Sequence, residues 1–146
     1  MDAATLAKRI IKDNIYLTLS TTDGSKPWAT TLQYVVDEDY NFYFISSPDS
    51  LHAQHIQENP NVTFTIYDSR QPSGTGEGIQ ASGKARILPP SEYPQVVIDY
   101  FKILESIGIA KEKNAIFKIV PEHFFVPDTE FWKAHGVDRR IEVALR

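Results

Sequence analysis

The sequence predicts a mainly β protein with a few helices (α+β), folded as a small antiparallel barrel. Three observations predict it. Short period-two runs of apolar residues recur along the chain, turn signals separate them every eight to twelve residues or so, and only a few segments have helical spacing. Strand and helix do not alternate regularly, so a parallel βαβ sheet is not expected. At 146 residues the chain has the length of one ordinary domain, and a single unit over residues 1–146 is expected.

Each element can be justified in order. Asp2 is a suitable N-cap for a helix that puts Leu6, Ala7, Ile10 and Ile11 on one face and ends at Asp13-Asn14. Residues 15–20 switch to period two, with Ile15, Leu17 and Leu19 on one side, and Thr22-Asp23-Gly24-Ser25 makes the turn. A second strand over residues 28–36 places Trp28, Thr30, Leu32, Tyr34 and Val36 opposite Ala29, Thr31, Gln33 and Val35. Asp37-Glu38-Asp39 reads as a solvated hairpin turn before a third strand, where Phe42 and Phe44 oppose Tyr43 and Ile45.

Ser47-Pro48 then starts a short helix that stops at Asn59-Pro60. Residues 62–67 alternate again, with Val62, Phe64 and Ile66 inward, and 68–76 are a polar Gly/Pro/Ser loop. Residues 78–88 form a long strand in which Gly83 marks a bulge or a close backbone approach. Pro89-Pro90-Ser91 breaks that strand and starts a helix with Pro94 in its first turn. Its stripe is Tyr93, Val97, Tyr100, Phe101, Leu104 and Ile107, closed by Gly108. Two strands (115–120 and 122–126), an irregular or helical piece bearing Trp132 (129–135), and a last strand (141–145) complete the chain.

Composition excludes several function classes. The formal net charge is −4 and no Lys/Arg cluster exceeds Arg139-Arg140, so no nucleic-acid footprint is expected. With no cysteine, thiolate nucleophiles, Fe–S clusters and cysteine zinc sites are absent. His52 and His55 lie three apart, but neither they, His123 nor His135 has a partner at metal-ligand spacing, and no metal is expected. No stretch has the pattern of a signal peptide or a membrane span, so a cytoplasmic location is expected.

One corner has the character of an anion site. The third strand ends at Ser46, and the helix that follows begins among Ser46, Ser47 and Ser50. Free N–H groups, the positive end of the helix dipole and seryl hydroxyls converge there, which suits a phosphate.

Three segments in this order resemble a known family. S-L-H-A-Q-H-I-Q-E-N-P-N-V (50–62) is similar to the S-x-K-x-x-x-I-x-x-N-P-x-V run of the FMN-binding split-barrel proteins related to pyridoxamine 5′-phosphate oxidase. P-W-A-T-T-L-Q-Y-V-V-D (27–37) resembles their second-strand segment, and G-I-Q-A-S-G-K-A-R-I-L (78–88) their v-x-v-x-G-x-A strand. The resemblance covers about residues 15–88.

What it implies is an antiparallel split β-barrel of the FMN-binding type, working as a homodimer with cofactor sites at the subunit interface. Carried over by position, Trp28, Ala29, Thr30, Thr31, Leu32 and Gln33 border the flavin ring, and Ser46, Ser47, Ser50 and His52 hold the phosphate. Gln80 contacts the ring from the partner subunit, with Lys84 a more distant candidate. The implied activity is that of a flavin-dependent oxidoreductase acting on a small molecule. A split-barrel dimer serving as a ligand-binding or sensor module is the alternative, and a deazaflavin reductase or haem-handling relative a third reading.

The chain departs from the oxidase where charge matters. The oxidase has an Arg on the second strand and an Arg-Lys pair before the helix, and the corresponding positions here are Thr30, Leu51 and His52. At about 1.5–3 kcal/mol per charged hydrogen bond, losing two weakens phosphate binding by roughly two to four powers of ten. Lys84, Arg86 and Arg70 are the cations left to rebuild the anchor. The oxidase's terminal Arg-x-His motif has no counterpart in R-R-I-E-V-A-L-R, so oxidation of pyridoxine phosphate is not expected.

Overall fold

The computed structural model describes all residues, 1–146. Helix α1 (Ala3–Asp13) begins on Asp2, whose carboxylate accepts the Thr5 N–H at 2.9 Å. Its Ala7, Ile10 and Ile11 are buried against the barrel, with Leu6 packed at the margin. Strands β1 (Tyr16–Thr22) and β2 (Pro27–Gln33) form a hairpin in which Asp23 Oδ1 accepts the N–H groups of Ser25 and Lys26, both at 2.8 Å. Gly24 turns it with φ +98°. Leu17, Leu19 and Thr21 point inward, whereas Ile15 precedes the strand and is 56% exposed, contrary to the sequence expectation.

The second strand is not continuous to Val36. It breaks at Tyr34 and resumes as β3 (Val35–Val36). Before the break it pairs with β1, and after it with β4 (Phe42–Ser46). The full order is β2-β1-β5-β6-β7-β4-β3, with β5 at Asn61–Ile66, β6 at Ile79–Leu88 and β7 at Ala115–Pro127; β8 (Arg140–Val143) pairs with β7. Because β2 and β3 are consecutive in the chain yet stand at opposite ends of that order, the sheet curls into a barrel closed by one bent strand. All pairs are antiparallel.

Strand β7 is unbroken through Pro121, where the sequence suggested two strands. A proline cannot donate to a ladder, and the register shifts at that point: Ser82 pairs with His123 but Gly83 with Pro121. Gly83 is required there, since a Cβ on it would lie 2.8 Å from Pro121 Cα.

Two clusters make the core. The larger fills the barrel around Phe42, Phe44, Phe64, Phe117 and Phe124, with the Phe44 and Phe117 rings stacked at 5.0 Å. The smaller lies outside the barrel, where Tyr43, Leu88 and Ile116 meet Val97, Tyr100, Phe101 and Leu104 of α3 (Gln95–Ser106). The alternation in β4 is therefore buried on both sides. Helix α3 starts after Pro94, which caps it, and not upstream; a 3-10 turn (Pro90–Glu92) occupies the preceding residues. Ile107 ends the helix and is 68% exposed, outside the stripe expected for it. No helix is long and apolar enough to cross a membrane.

Tyr34 fastens the break. Its hydroxyl lies 2.7 Å from the Ile11 carbonyl and 2.9 Å from that of Asn14, at the end of α1, and its ring packs on Phe42 at 5.3 Å. Burial pushes the phenol well above its ordinary range. Tyr34→Phe should lower stability by about 1–2 kcal/mol in urea unfolding, since buried carbonyls at the helix end lose their donor. Gly83→Ala should cost about 1–3 kcal/mol by overpacking, with both losses read as shifts of the unfolding midpoint at unchanged slope.

Candidate functional site

The corner anticipated from sequence lies where β4 ends and α2 (Leu51–Glu58) begins. Ser47 to Asp49 form a turn, closed by Ser50 N–H to the Ser47 carbonyl at 3.2 Å, so the helix starts on Ser50 as N-cap. The Ser50 hydroxyl donates to the Ser47 carbonyl (2.8 Å) and accepts the Ala53 N–H (3.4 Å). His52 Nε2 sits 2.6 Å from Ser46 Oγ and 3.2 Å from Ser50 Oγ. The structure thus brings Ser46, Ser50 and His52 into one hydrogen-bonded group, with Ser47 in the adjoining turn. The three serines are half-buried and His52 is buried, 7% exposed.

The helix is docked by two imidazoles. His55, 6% exposed, bonds through Nδ1 to the buried Thr21 hydroxyl of β1 at 2.9 Å. The sequence shows two histidines three apart on one face, but Thr21 as a partner became visible only with β1 in place. Burial, and then the nearby His55, hold the pKa of His52 below its ordinary value. A neutral His52 faces the serines, and with it the corner offers hydroxyls plus the N–H groups of Leu51 and His52, which donate to no protein group. That donor set is of the kind that binds phosphate oxygens, and it lacks a cation.

None of the three substitute cations enters this group. Lys84 Nζ bonds Asn61 Oδ1 at 2.5 Å and lies 3.8 Å from Glu122. Arg86 pairs with Glu92 at 3.3 Å and shares the outer face of the sheet with Lys118 and Tyr43, opposite to Ser46. Arg70 stands on the loop after β5, in a cavity lined by Asp13 and Asn14 at the end of α1.

The ring-side residues divide by face. Trp28, Thr30 and Leu32 pair with Thr21, Leu19 and Leu17 on the inward side, while Ala29, Thr31 and Gln33 pair with Ser20, Thr18 and Tyr16 on the outward side. Strand β2 pairs only with β1, so its other edge is free, and alternate backbone N–H and C=O groups along Trp28 to Gln33 are open to a ligand. Thr30 Oγ1 is the one buried side-chain polar atom without a partner. Gln80 is exposed on the outer face of β6, in a row with Thr31, Thr18 and Thr65. With β1 and β5 intervening, it stands about 14 Å from β2 in its own chain.

A sheet curled into a barrel by one bent strand, with helices packed against it, defines the antiparallel split-barrel class. The chain belongs to the pyridoxamine 5'-phosphate oxidase family, whose model matches residues 5–126. No curated protein matches the sequence. Among solved structures, General Stress Protein 26 from Bacillus anthracis str. Sterne is similar with TM-score 0.70 at 18% identity, over 98% of this chain and 100% of that one. A FAD-binding protein from Mesorhizobium loti gives TM-score 0.68 at 17% identity, covering 85% of this chain and 92% of its own. A heme binding protein from Mycobacterium smegmatis gives 0.76 at 15% identity, over 99% of this chain and 58% of the other. Identities this low establish a shared fold.

His52 makes an acid test. A histidine whose pKa is lowered in the folded state favours folding fully above its unfolded value, near 6.5, and that contribution is lost as pH falls through the folded pKa. The thermal midpoint should therefore drop between pH 7 and pH 5, and the drop should be smaller in His52→Gln, as followed by circular dichroism.

Proposed function

We propose that this protein is an FMN-binding oxidoreductase acting as a homodimer on a small-molecule substrate. The observation that carries the reading is that β2, whose outer edge is free, lies in contact with α2, whose first turn is open. The first offers alternating donors and acceptors to the edge of a heteroaromatic ring, and the second offers N–H groups and hydroxyls to a terminal phosphate. Family membership and the FAD-binding relative support a flavin. FMN ends in the phosphate that the serine corner suits.

In this reading Ser46, Ser47 and Ser50 bind the phosphate and His52 positions Ser46 and Ser50 from beneath. The backbone from Trp28 to Gln33 orients the ring, and Gln80 reaches it from the second copy, since β1 and β5 separate it from its own β2. The bound flavin supplies two-electron chemistry, while the protein supplies orientation, hydrogen bonds and exclusion of water. A second reading is favoured by the missing cation: a split-barrel dimer that acts as a ligand-binding or sensor module with weak flavin affinity. The heme binding relative shows that proteins of this fold take other ligands.

FMN should quench on titration with the purified protein, which should elute as a dimer in size exclusion. Ser46→Ala should weaken binding about 2- to 10-fold, the equivalent of one neutral hydrogen bond. No quenching at tens of micromolar FMN removes the flavin reading and leaves the sensor reading standing.

A further inference from the structure

The outward face of the sheet carries two rows of side chains that cross from β2 to β6. One runs Thr31, Thr18, Thr65, Gln80 and the other Ala29, Ser20, Thr63, Ser82. None of these is ionisable. An uncharged face of this kind is cheaper to cover than one that would bury unpaired charges, and it is the face from which Gln80 projects. Where the rows continue onto β7 and β8, the register sets His123 opposite Ser82, and both Gln80 and Glu142 opposite Phe125. His123 and Gln80 are diagonal neighbours about 7 Å apart.

His123 and Glu142 form a dyad. His123 Nδ1 lies 2.5 Å from Glu142 Oε1, both side chains are about half exposed, and the imidazole stacks on Phe125 at 6.3 Å and 24°. Nε2 has no protein partner. A carboxylate on Nδ1 fixes the tautomer and aims the opposite nitrogen, which is how an imidazole is prepared for proton transfer. The ionisable groups around it are Glu142 on β8, Glu122 beside it on β7, and Lys84 on β6, which is taken up by Asn61 and Glu122. Glu142, through its hydrogen bond and then its charge, raises the pKa of His123, and Glu122 adds to this. The ring is thereby biased toward its protonated form. As an isolated surface ion pair the dyad would add little stability, and its position beside Gln80 on an uncharged face is what sets it apart.

We propose that His123, oriented by Glu142, is the proton donor of the interfacial site, acting on a carbonyl-bearing acceptor such as a quinone. This rests on the flavin-dimer reading, because His123 shares the face through which Gln80 reaches the second copy. A bound reduced flavin would supply the hydride equivalent: its hydrogen would form the O–H bond at one quinone oxygen, the ring π electrons would shift to leave a phenolate at the other, and that oxygen would form its O–H bond with the proton leaving His123 Nε2. The imidazole is left neutral and regains a proton from solvent through its exposed edge.

The test combines side-chain NMR with single-turnover kinetics. In the wild type, the His123 nitrogen resonances should titrate above an ordinary histidine, fall toward it in Glu142→Gln, and move when FMN is added. Photoreduced FMN-loaded protein mixed anaerobically with a quinone should be reoxidised more slowly as pH rises through the His123 transition. His123→Gln should be slower by about 10²-fold, without that pH dependence and with unchanged FMN quenching and thermal midpoint. If FMN binds but leaves the His123 resonances in place, and His123→Gln keeps the wild-type rate and profile, this proposal alone is overturned. If the wild type binds no FMN, the flavin reading fails and takes this one with it.

Discussion

The barrel depends on the break at Tyr34. A strand can ladder with neighbours on two edges, but residues 27–36 do so with a different neighbour in each half: β1 before Tyr34 and β4 after it. The bend closes the sheet and leaves the first half with a free edge. Such an edge is a liability in solution unless something covers it, and in this protein the strand that bears it is in contact with α2. The Tyr34 side chain points into the core, reaches the last carbonyls of α1 and packs on Phe42, so one residue ties helix, seam and core together.

The second determinant is how α2 is held. A helix that packs on a barrel usually does so with aliphatic side chains, and Ala53 and Ile56 serve that purpose here. His52 and His55 add two polar attachments, to Ser46 at the end of β4 and to Thr21 on β1. Hydrogen bonds from imidazoles to hydroxyls fix orientation without the desolvation cost of an ion pair. The same arrangement sets the electrostatics of the corner, because an imidazole kept neutral by burial brings no charge to the serines above it. A phosphate held there relies on hydroxyls, N–H groups and the helix dipole.

The two faces of the sheet have different tasks. The inner one is filled by aromatic and aliphatic side chains. The outer one, from β2 across β1 and β5 to Gln80 and Ser82 of β6, carries mostly threonine, serine and glutamine, and runs on to the His123–Glu142 dyad. Hydroxyl and amide side chains satisfy themselves with water when exposed and can be desolvated at moderate cost when another surface covers them.

Much of this was legible in the sequence because it rests on local rules. Asp2 as a cap, the Asp23-Gly24 turn, the alternation of Val62, Phe64 and Ile66, and the meaning of Gly83 follow from neighbours a few residues apart. So does the clustering of Ser46, Ser50 and His52, which one turn and one helical turn bring together. Tertiary structure alone decided what depends on partners distant in the chain. Ile15 and Ile107 fit an apolar period yet lie just outside the elements that would have buried them, and α3 starts only after Pro94. The break at Tyr34 comes from a change of ladder partner, which no pattern within residues 28–36 records. The pairing of His55 with Thr21 and of His123 with Glu142 joins residues separated by 34 and 19 positions. Periodicity reports which way a side chain points, and only the folded sheet supplies what it meets.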